Sequence, residues 1–328
     1  DQVKGEVKKL LGIDSDKSIN QVGVTAMCNV SQDADTDDGT IAIYYAEGDI
    51  VQIAPGGMFN NNTSIVSKDI CKDLEDLKND DDIKAVVLRV NSPGGDAYAS
   101  EQIWHQVTEL RKKKPVVVSM GDYAASGGYY MSCGANWIVA EPNTLTGSIG
   151  IFGVFPDLSG LVTEKLGVKF DEVKTNANSA FGNVAARPFN ASEMAMLQGY
   201  INRGYATFLN RVSQGRKMSV ANLDKIAQGR VWLGTDALKI KLVDQLGGIK
   251  DAVEKAAQLA KIKDYGVSEY PAPASWQDQL FNSVVPRNTL DEQLRLALGA
   301  AYEPFMLIRK INQREAIQAR LPLELNIR

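Results

Sequence analysis

The residues Lys84-Ala85-Val86-Val87-Leu88-Arg89-Val90 form a nearly unbroken apolar run. A strand with one face in water alternates apolar and polar residues, so a run without alternation demands cover on both faces. The run ends in Asn91-Ser92-Pro93-Gly94-Gly95, and a helical pattern follows from about Ala97 to Lys113. Ile103, Val107 and Leu110 mark the buried stripe of that helix, and Arg111 to Lys114 sit at its negative end, where the macrodipole favours cations. The order then recurs. The apolar stretch Pro115 to Met120 leads into the small-residue turn Gly121 to Gly128, and a helix-compatible stretch, Tyr129 to Ala135, leads away. A strand at 40–45, a helix over roughly 63–79 and a short strand at 137–140 complete the rhythm. Alternating strands and helices of this kind predict right-handed βαβ units around a mostly parallel sheet.

Parallel strands end on one side of their sheet, and the loops there build the site. Both glycine turns follow such strands. Ser126 stands in the second, where the chain enters a helix and backbone N–H groups lack partners. Two readings are open: a tightly packed structural turn, or a serine placed to attack a carbonyl. In the second, an N–H of Gly94 or Gly95 and that of Gly127 are positioned to hold the oxyanion. A serine needs a base. His105 is the only histidine, and it lies off the buried stripe of its helix, which reads as a surface position. The turn also lacks the Gly-x-Ser-x-Gly elbow of the α/β hydrolases. A lysine remains, with its pKa of about 10.4 drawn down by burial.

The Gly-studded segment Thr146 to Phe155 reads equally as a bulged strand or as an edge to which an extended peptide adds by main-chain hydrogen bonds, with Ser148 and Gly150 as candidate substrate contacts. Further on, the pattern predicts a short helix at 158–166, a strand at 168–173 and a loop over 174–187. A long helix at 191–216 and short helices at 220–228, 235–242 and 249–259 follow. After Tyr270-Pro271-Ala272-Pro273 the chain turns helical and irregular.

Composition narrows the function. Lys and Arg total 36 against 40 Asp and Glu, a net charge of −4 that gives no nucleic-acid footprint. Cys28, Cys71 and Cys133 form neither a disulfide framework nor a metal spacing, and no metal or organic cofactor is indicated. The acidic stretch Ser31 to Gly39 reads as an exposed loop and lacks the closing Glu of a calcium loop. No apolar run reaches the 18 residues of a spanning helix. The chain begins at Asp1, as expected of a processed chain, so a signal or anchor is expected outside these residues.

Taken together, Asn91 to Gly95, Ser119 to Tyr130, Leu145 to Gly150, Asp224 to Trp232 and Leu242-Val243-Asp244 strongly resemble the signal peptide peptidase A (protease IV) family, most closely the carboxy-terminal half of its long, duplicated form. The resemblance covers about 40–262. It implies a Clp-protease/crotonase-like fold, a ββα superhelix with a mostly parallel sheet, here followed by a helical C-terminal extension. It divides the chain into a linker and remnant of a preceding domain (1–38), a peptidase domain (39–262) and the extension (263–328). It implies a serine–lysine dyad that degrades cleaved signal peptides at the periplasmic side of the bacterial cytoplasmic membrane. Ser126 matches the family's nucleophile, and the Pro-Gly-Gly turn and Gly127 match its oxyanion positions. Implied partners are peptide substrates, the amino-terminal half of the same precursor and further copies in a homo-oligomer. Membrane association would come through segments outside this chain. In short relatives the lysine follows the strand that resembles 168–173, which places it at or near Asn178 here; Asn has no titratable base, and Lys174 lies earlier on the loop. In the long form the lysine comes from the amino-terminal half. Two rival readings are an acyl-CoA-binding crotonase-like enzyme and a non-catalytic half that only assembles.

Overall fold

The computed structural model describes residues 7–10, 12, 38–54, 63–179, 181–182, 186–271 and 317–320. The chain divides into two compact units, Asp1–Asp35 and Thr36–Arg328. In the first, the described residues are a helical stretch at 7–10 and Gly12. Most of the acidic stretch 31–39 and the helical pattern after Pro273 lie outside the described residues.

The second unit is built on one large sheet. Its strands are β1 (Thr40–Glu47), β4 (Ile83–Ser92), β6 (Val116–Ala125), β7 (Trp137–Ala140), β8 (Leu145–Gly147), β10 (Val231–Leu233), β11 (Gln245–Leu246) and β12 (Gly266–Tyr270). The order is β10-β8-β6-β4-β1-β12, with β7 and β11 continuing from β6. Every pairing is parallel except β10 with β8. One edge of β6 serves two partners in turn: Val117 to Met120 pair with β7, and Tyr123 to Ala125 pair with β8. This is why β6 runs five residues past the expected end at Met120.

Both faces are covered, as the run at 84–90 requires. Val86, Leu88 and Val90 face a cluster with Leu74 of α1 (Ser67–Asn79) and with Ile103, Val107 and Leu110 of α2 (Ala97–Lys113). Ala85 and Val87 face the other way, against Ala252, Ala256 and Ala257. These alanines belong to the helix Ile249–Ala260, which small side chains let approach closely. The expected stripe of α2 is therefore the buried one. α2 is capped by Asp96, whose Oδ1 accepts from the Ala99 N–H at 2.6 Å.

A second, five-stranded sheet lies in the order β3-β2-β5-β13-β9. Its strands are β2 (Asp49–Val51), β3 (Ser64–Val66), β5 (Gly94–Asp96), β9 (Phe152–Gly153) and β13 (Ile317–Arg320). The residues at 64–66 pair with β2, so α1 begins at Ser67 and not near 63.

Two expectations need correction. Residues 168–173 form no strand and pair with no ladder, and Val168, Phe170 and Val173 are exposed. The stretch 146–155 is two short strands, β8 and β9, broken at Ser148 where φ is +48°. Within 263–328 the described residues include two strands, β12 beside β1 in the large sheet and β13 in the small one, and apart from 317–320 the helical pattern expected after Pro273 lies outside the described residues.

Leu88 is fully buried in the middle of β4. Leu88→Ala is expected to lower unfolding stability by about 2–5 kcal/mol, read as a lower urea midpoint at unchanged slope.

Candidate active site

The parallel register of β4 and β6 brings the two glycine turns together. Val90 pairs with Met120; after an irregularity, Ser92 pairs with Ala124. One step further along, Gly94 and Gly127 touch: a Cβ on Gly94 would lie 2.7 Å from the Gly127 nitrogen, and one on Gly127 would lie 3.2 Å from the Gly94 Cα. The Gly94 backbone has φ of +99°, a conformation side chains rarely adopt. A Cβ on Gly128 would come within 2.8 Å of the Ser92 carbonyl oxygen. Backbone packs on backbone throughout this corner, and side chains have no room.

Ser126 stands at the centre. Its backbone is strained, with φ of +53° and ψ of −114°, a region that costs a non-glycine residue about 1–3 kcal/mol. The strain is held from both sides. The Ser126 N–H donates to the Gly147 carbonyl at 2.8 Å, and its own carbonyl accepts from the Tyr130 N–H at 2.8 Å. The Thr146 hydroxyl donates to the Ala124 carbonyl at 2.8 Å and pins the strand just before. The Ser126 hydroxyl is buried and has no hydrogen-bond partner among the described residues. Such orphaned hydroxyls are uncommon and costly.

The helix that follows, α3 (Gly127–Ser132), is only six residues long and shorter than the sequence pattern predicts. What Ser126 meets is therefore the individual N–H groups of its first turn rather than a large macrodipole. α3 is fully buried and anchored by its tyrosines. The Tyr129 hydroxyl donates to the Leu242 carbonyl at 2.8 Å and that of Tyr130 donates to Glu101 at 2.6 Å.

The other expected residues fall around this corner with differing roles. The Gly94 N–H donates to Ser92 Oγ at 3.1 Å. Gly95 lies against β2, where a Cβ would stand 2.1 Å from the Ile50 carbonyl oxygen. Ser148 and Gly150 line a cavity of about 480 Å³ together with Phe152, Gln228 and Arg320. A second cavity, of about 460 Å³, is lined by Asp96, Glu101, Tyr130 and Tyr200 and shares Ile151 with the first. Burial pushes the Asp96 carboxyl upward, against the lowering effect of hydrogen bonds from Ala99 and Gln52. His105 is exposed on α2. Lys174 pairs with Glu172 at 2.9 Å, with 45% of its side chain exposed.

One occupant was not legible in the sequence. Strand β13 lies between β5 and β9, antiparallel to both, with Gln318 opposite Asp96 and Phe152, and Ala319 opposite Gly95. It fills the groove between the Pro-Gly-Gly turn and the Gly-rich segment. The Ala319 carbonyl oxygen stands 2.1 Å and 2.8 Å from where Cβ atoms on Gly94 and Gly127 would be. Four residues without periodicity or turn signals leave no mark by which a sequence reading finds such a strand.

Residues 108–263 match Peptidase family S49, and residues 56–144 match Clp protease. "Protease 4" of Salmonella typhi is 41% identical over 272 residues, 81% of this chain and 42% of that protein. "Protease 4" of Haemophilus influenzae is 47% identical over 193 residues, 58% of this chain and 31% of that protein. "Serine protease SPPA, chloroplastic" of Arabidopsis thaliana is 34% identical over 265 residues, 80% of this chain and 39% of that protein. The chain thus spans less than half the length of these relatives. Among solved structures, ClpP1 of Listeria monocytogenes matches 64% of this chain and 94% of its own at 15% identity, with a TM-score of 0.42. Residues 108–263 thus match the Peptidase family S49 model, and the chain is similar in sequence to the protease 4 and SPPA proteins.

Proposed function

We propose that the protein to which this chain belongs is a serine endopeptidase that degrades extended peptides, including cleaved signal peptides, with Ser126 as its nucleophile. The observation that carries this reading is Ser126: its backbone is strained, its hydroxyl has no partner among the described residues, and it lies beside two glycine bends in a groove that accepts a β-strand. A lysine takes the Ser126 proton as Oγ attacks the peptide carbonyl carbon. The oxyanion is held by the Gly127 N–H and by the turn at Gly94 and Gly95. The protonated lysine returns its proton to the departing amine, and water then releases the acid from the ester. Ser148 and Gly150 line the groove that holds the peptide. An acyl-CoA enzyme of related fold needs the paired N–H groups but leaves the strained serine unexplained.

The base is assigned to the amino-terminal half of the precursor. Ser126 Oγ has no hydrogen-bond partner among the described residues, and Lys174 is engaged with Glu172. The resemblance puts the lysine of short relatives at or near Asn178, whose Oδ1 is likewise without a partner among the described residues. A protein-covered face also fits the apolar surface of residues 161–194. Leu161, Leu166, Val173, Phe181 and Met194 are each more than two-fifths exposed. Phe181 packs on Phe189, and Asn178 touches Met196, so the segments at 178–181 and 189–196 lie together. The amino-terminal half or a neighbouring copy in a homo-oligomer would cover it. No helix among the described residues is long and apolar enough to cross a membrane; attachment to the periplasmic face of the cytoplasmic membrane would come through segments outside the chain.

Three outcomes are expected. In the full-length protein, Ser126→Ala lowers kcat for a fluorogenic peptide by at least about 10³-fold with the fold intact by circular dichroism. Gly94→Ala places a methyl group against Gly127 and lowers kcat/KM by about 10²-fold. Residues 1–328 alone are inactive and regain activity when the amino-terminal half is added, and Lys174→Ala leaves that restored activity within about twofold of the unmodified chain. Activity of 1–328 alone that Lys174→Ala abolishes would overturn the split site.

A further inference from the structure

Strand β13 shows how the groove handles side chains as well as backbone. Arg320 is opposite Gly94 on β5, and β2 lies on the far side of β5 with Ile50 opposite Gly95. Asp49, one residue before Ile50, therefore stands level with Gly94. The Arg320 Nη1 donates to Asp49 Oδ2 at 2.7 Å, across the strand that carries Gly94. The arginine side chain is only 10% exposed and that of Asp49 35%, so the pair is largely shielded. The residue before it, Ala319, is fully buried, with its carbonyl against the two glycine bends.

We propose that Asp49 is a specificity-determining residue. It selects a basic side chain on the residue immediately after the small one whose carbonyl is seated against Gly94 and Gly127. The inference rests on the peptidase reading above and names a substrate class within it: peptides with a small-then-basic pair at the cleavage point. Three physical constraints point the same way.

The first is reach. Neighbouring strands are about 4.8 Å apart, so a side chain on β13 must span about two such spacings to meet Asp49. Only arginine and lysine combine that length with a positive charge. The second is clearance. A side chain at position 94 would stand in the path, and the φ of +99° keeps that position to glycine. The third is electrostatic. A shielded carboxylate rewards an opposite charge and penalises a like one, which is how a groove rejects the wrong peptide. Residues 317–320 display the arrangement within the chain itself.

The test uses the full-length protein and three peptides that differ only after the alanine: Ile-Gln-Ala-Arg, Ile-Gln-Ala-Leu and Ile-Gln-Ala-Glu within a common flanking sequence. The expected order of kcat/KM is Arg, then Leu, then Glu, with at least about tenfold between the first and last, mostly in KM. Asp49→Asn should shrink that range to about twofold, and Asp49→Lys should invert it.

A second measurement needs no catalysis. In the Ser126→Ala protein, hydrogen exchange of the amides at 317–320 should speed up on Asp49→Lys and slow again when Arg320→Glu is added. Equal cleavage of all three peptides by the unmodified protein would overturn the role of Asp49 and leave the peptidase reading standing. Absence of Ser126-dependent cleavage of any peptide would sink the peptidase reading, and the exchange cycle would still decide whether Asp49 holds the basic residue. Exchange at 317–320 that ignores both charge changes overturns the inference.

Discussion

The site depends on one pairing, that of β4 with β6. The two strands run side by side in the same direction, so their carboxyl ends arrive together. Each ends in a turn of small residues, and the turns meet with Gly94 against Gly127. Had either strand been reversed or displaced, the serine and its neighbouring amides would lie on different parts of the sheet. The cover on both faces fixes the register: Val86, Leu88 and Val90 are committed to one layer and Ala85 and Val87 to the other, so a slip by one residue would exchange them.

This corner is built at a local cost that the surrounding core sustains. Ser126 occupies a backbone conformation that favours glycine, and its hydroxyl has no partner among the described residues. Both features are unfavourable in a structure selected for stability alone. They persist because the Gly147 carbonyl, the Tyr130 N–H and the buried tyrosines of α3 hold the turn from several directions. A groove read mainly through backbone follows from the same economy of side chains. The glycines at 94 and 127 let another chain approach, and β13 does so with ladder pairs on both of its edges.

The central strands were legible in the sequence because their apolar runs have one reading. Val116 to Met120, Trp137 to Ala140 and the long helix Ala191–Arg216 fall where composition and periodicity put them. The corner containing Ser126, Gly94, Gly95 and Gly127 was legible for the same reason, since two parallel strands that each end in glycine have few ways to differ. Features fixed by distant partners were not. Residues 168–173 carry β-prone side chains but have no neighbour to pair with, and propensity alone does not make a strand. Gly266–Tyr270 and Ile317–Arg320 are strands only because β1, β5 and β9 offer edges. The contact of Arg320 with Asp49 joins residues far apart in the chain, and neither charge stands out where it occurs.

The most direct measurement is the site of covalent modification in the full-length protein treated with a serine-directed phosphonate. Peptide mapping by mass spectrometry should find a single adduct on the peptide that contains Ser126, formed in step with loss of activity. An inactivated enzyme whose adduct lies on another residue, or full activity alongside a modified Ser126, would contradict the account.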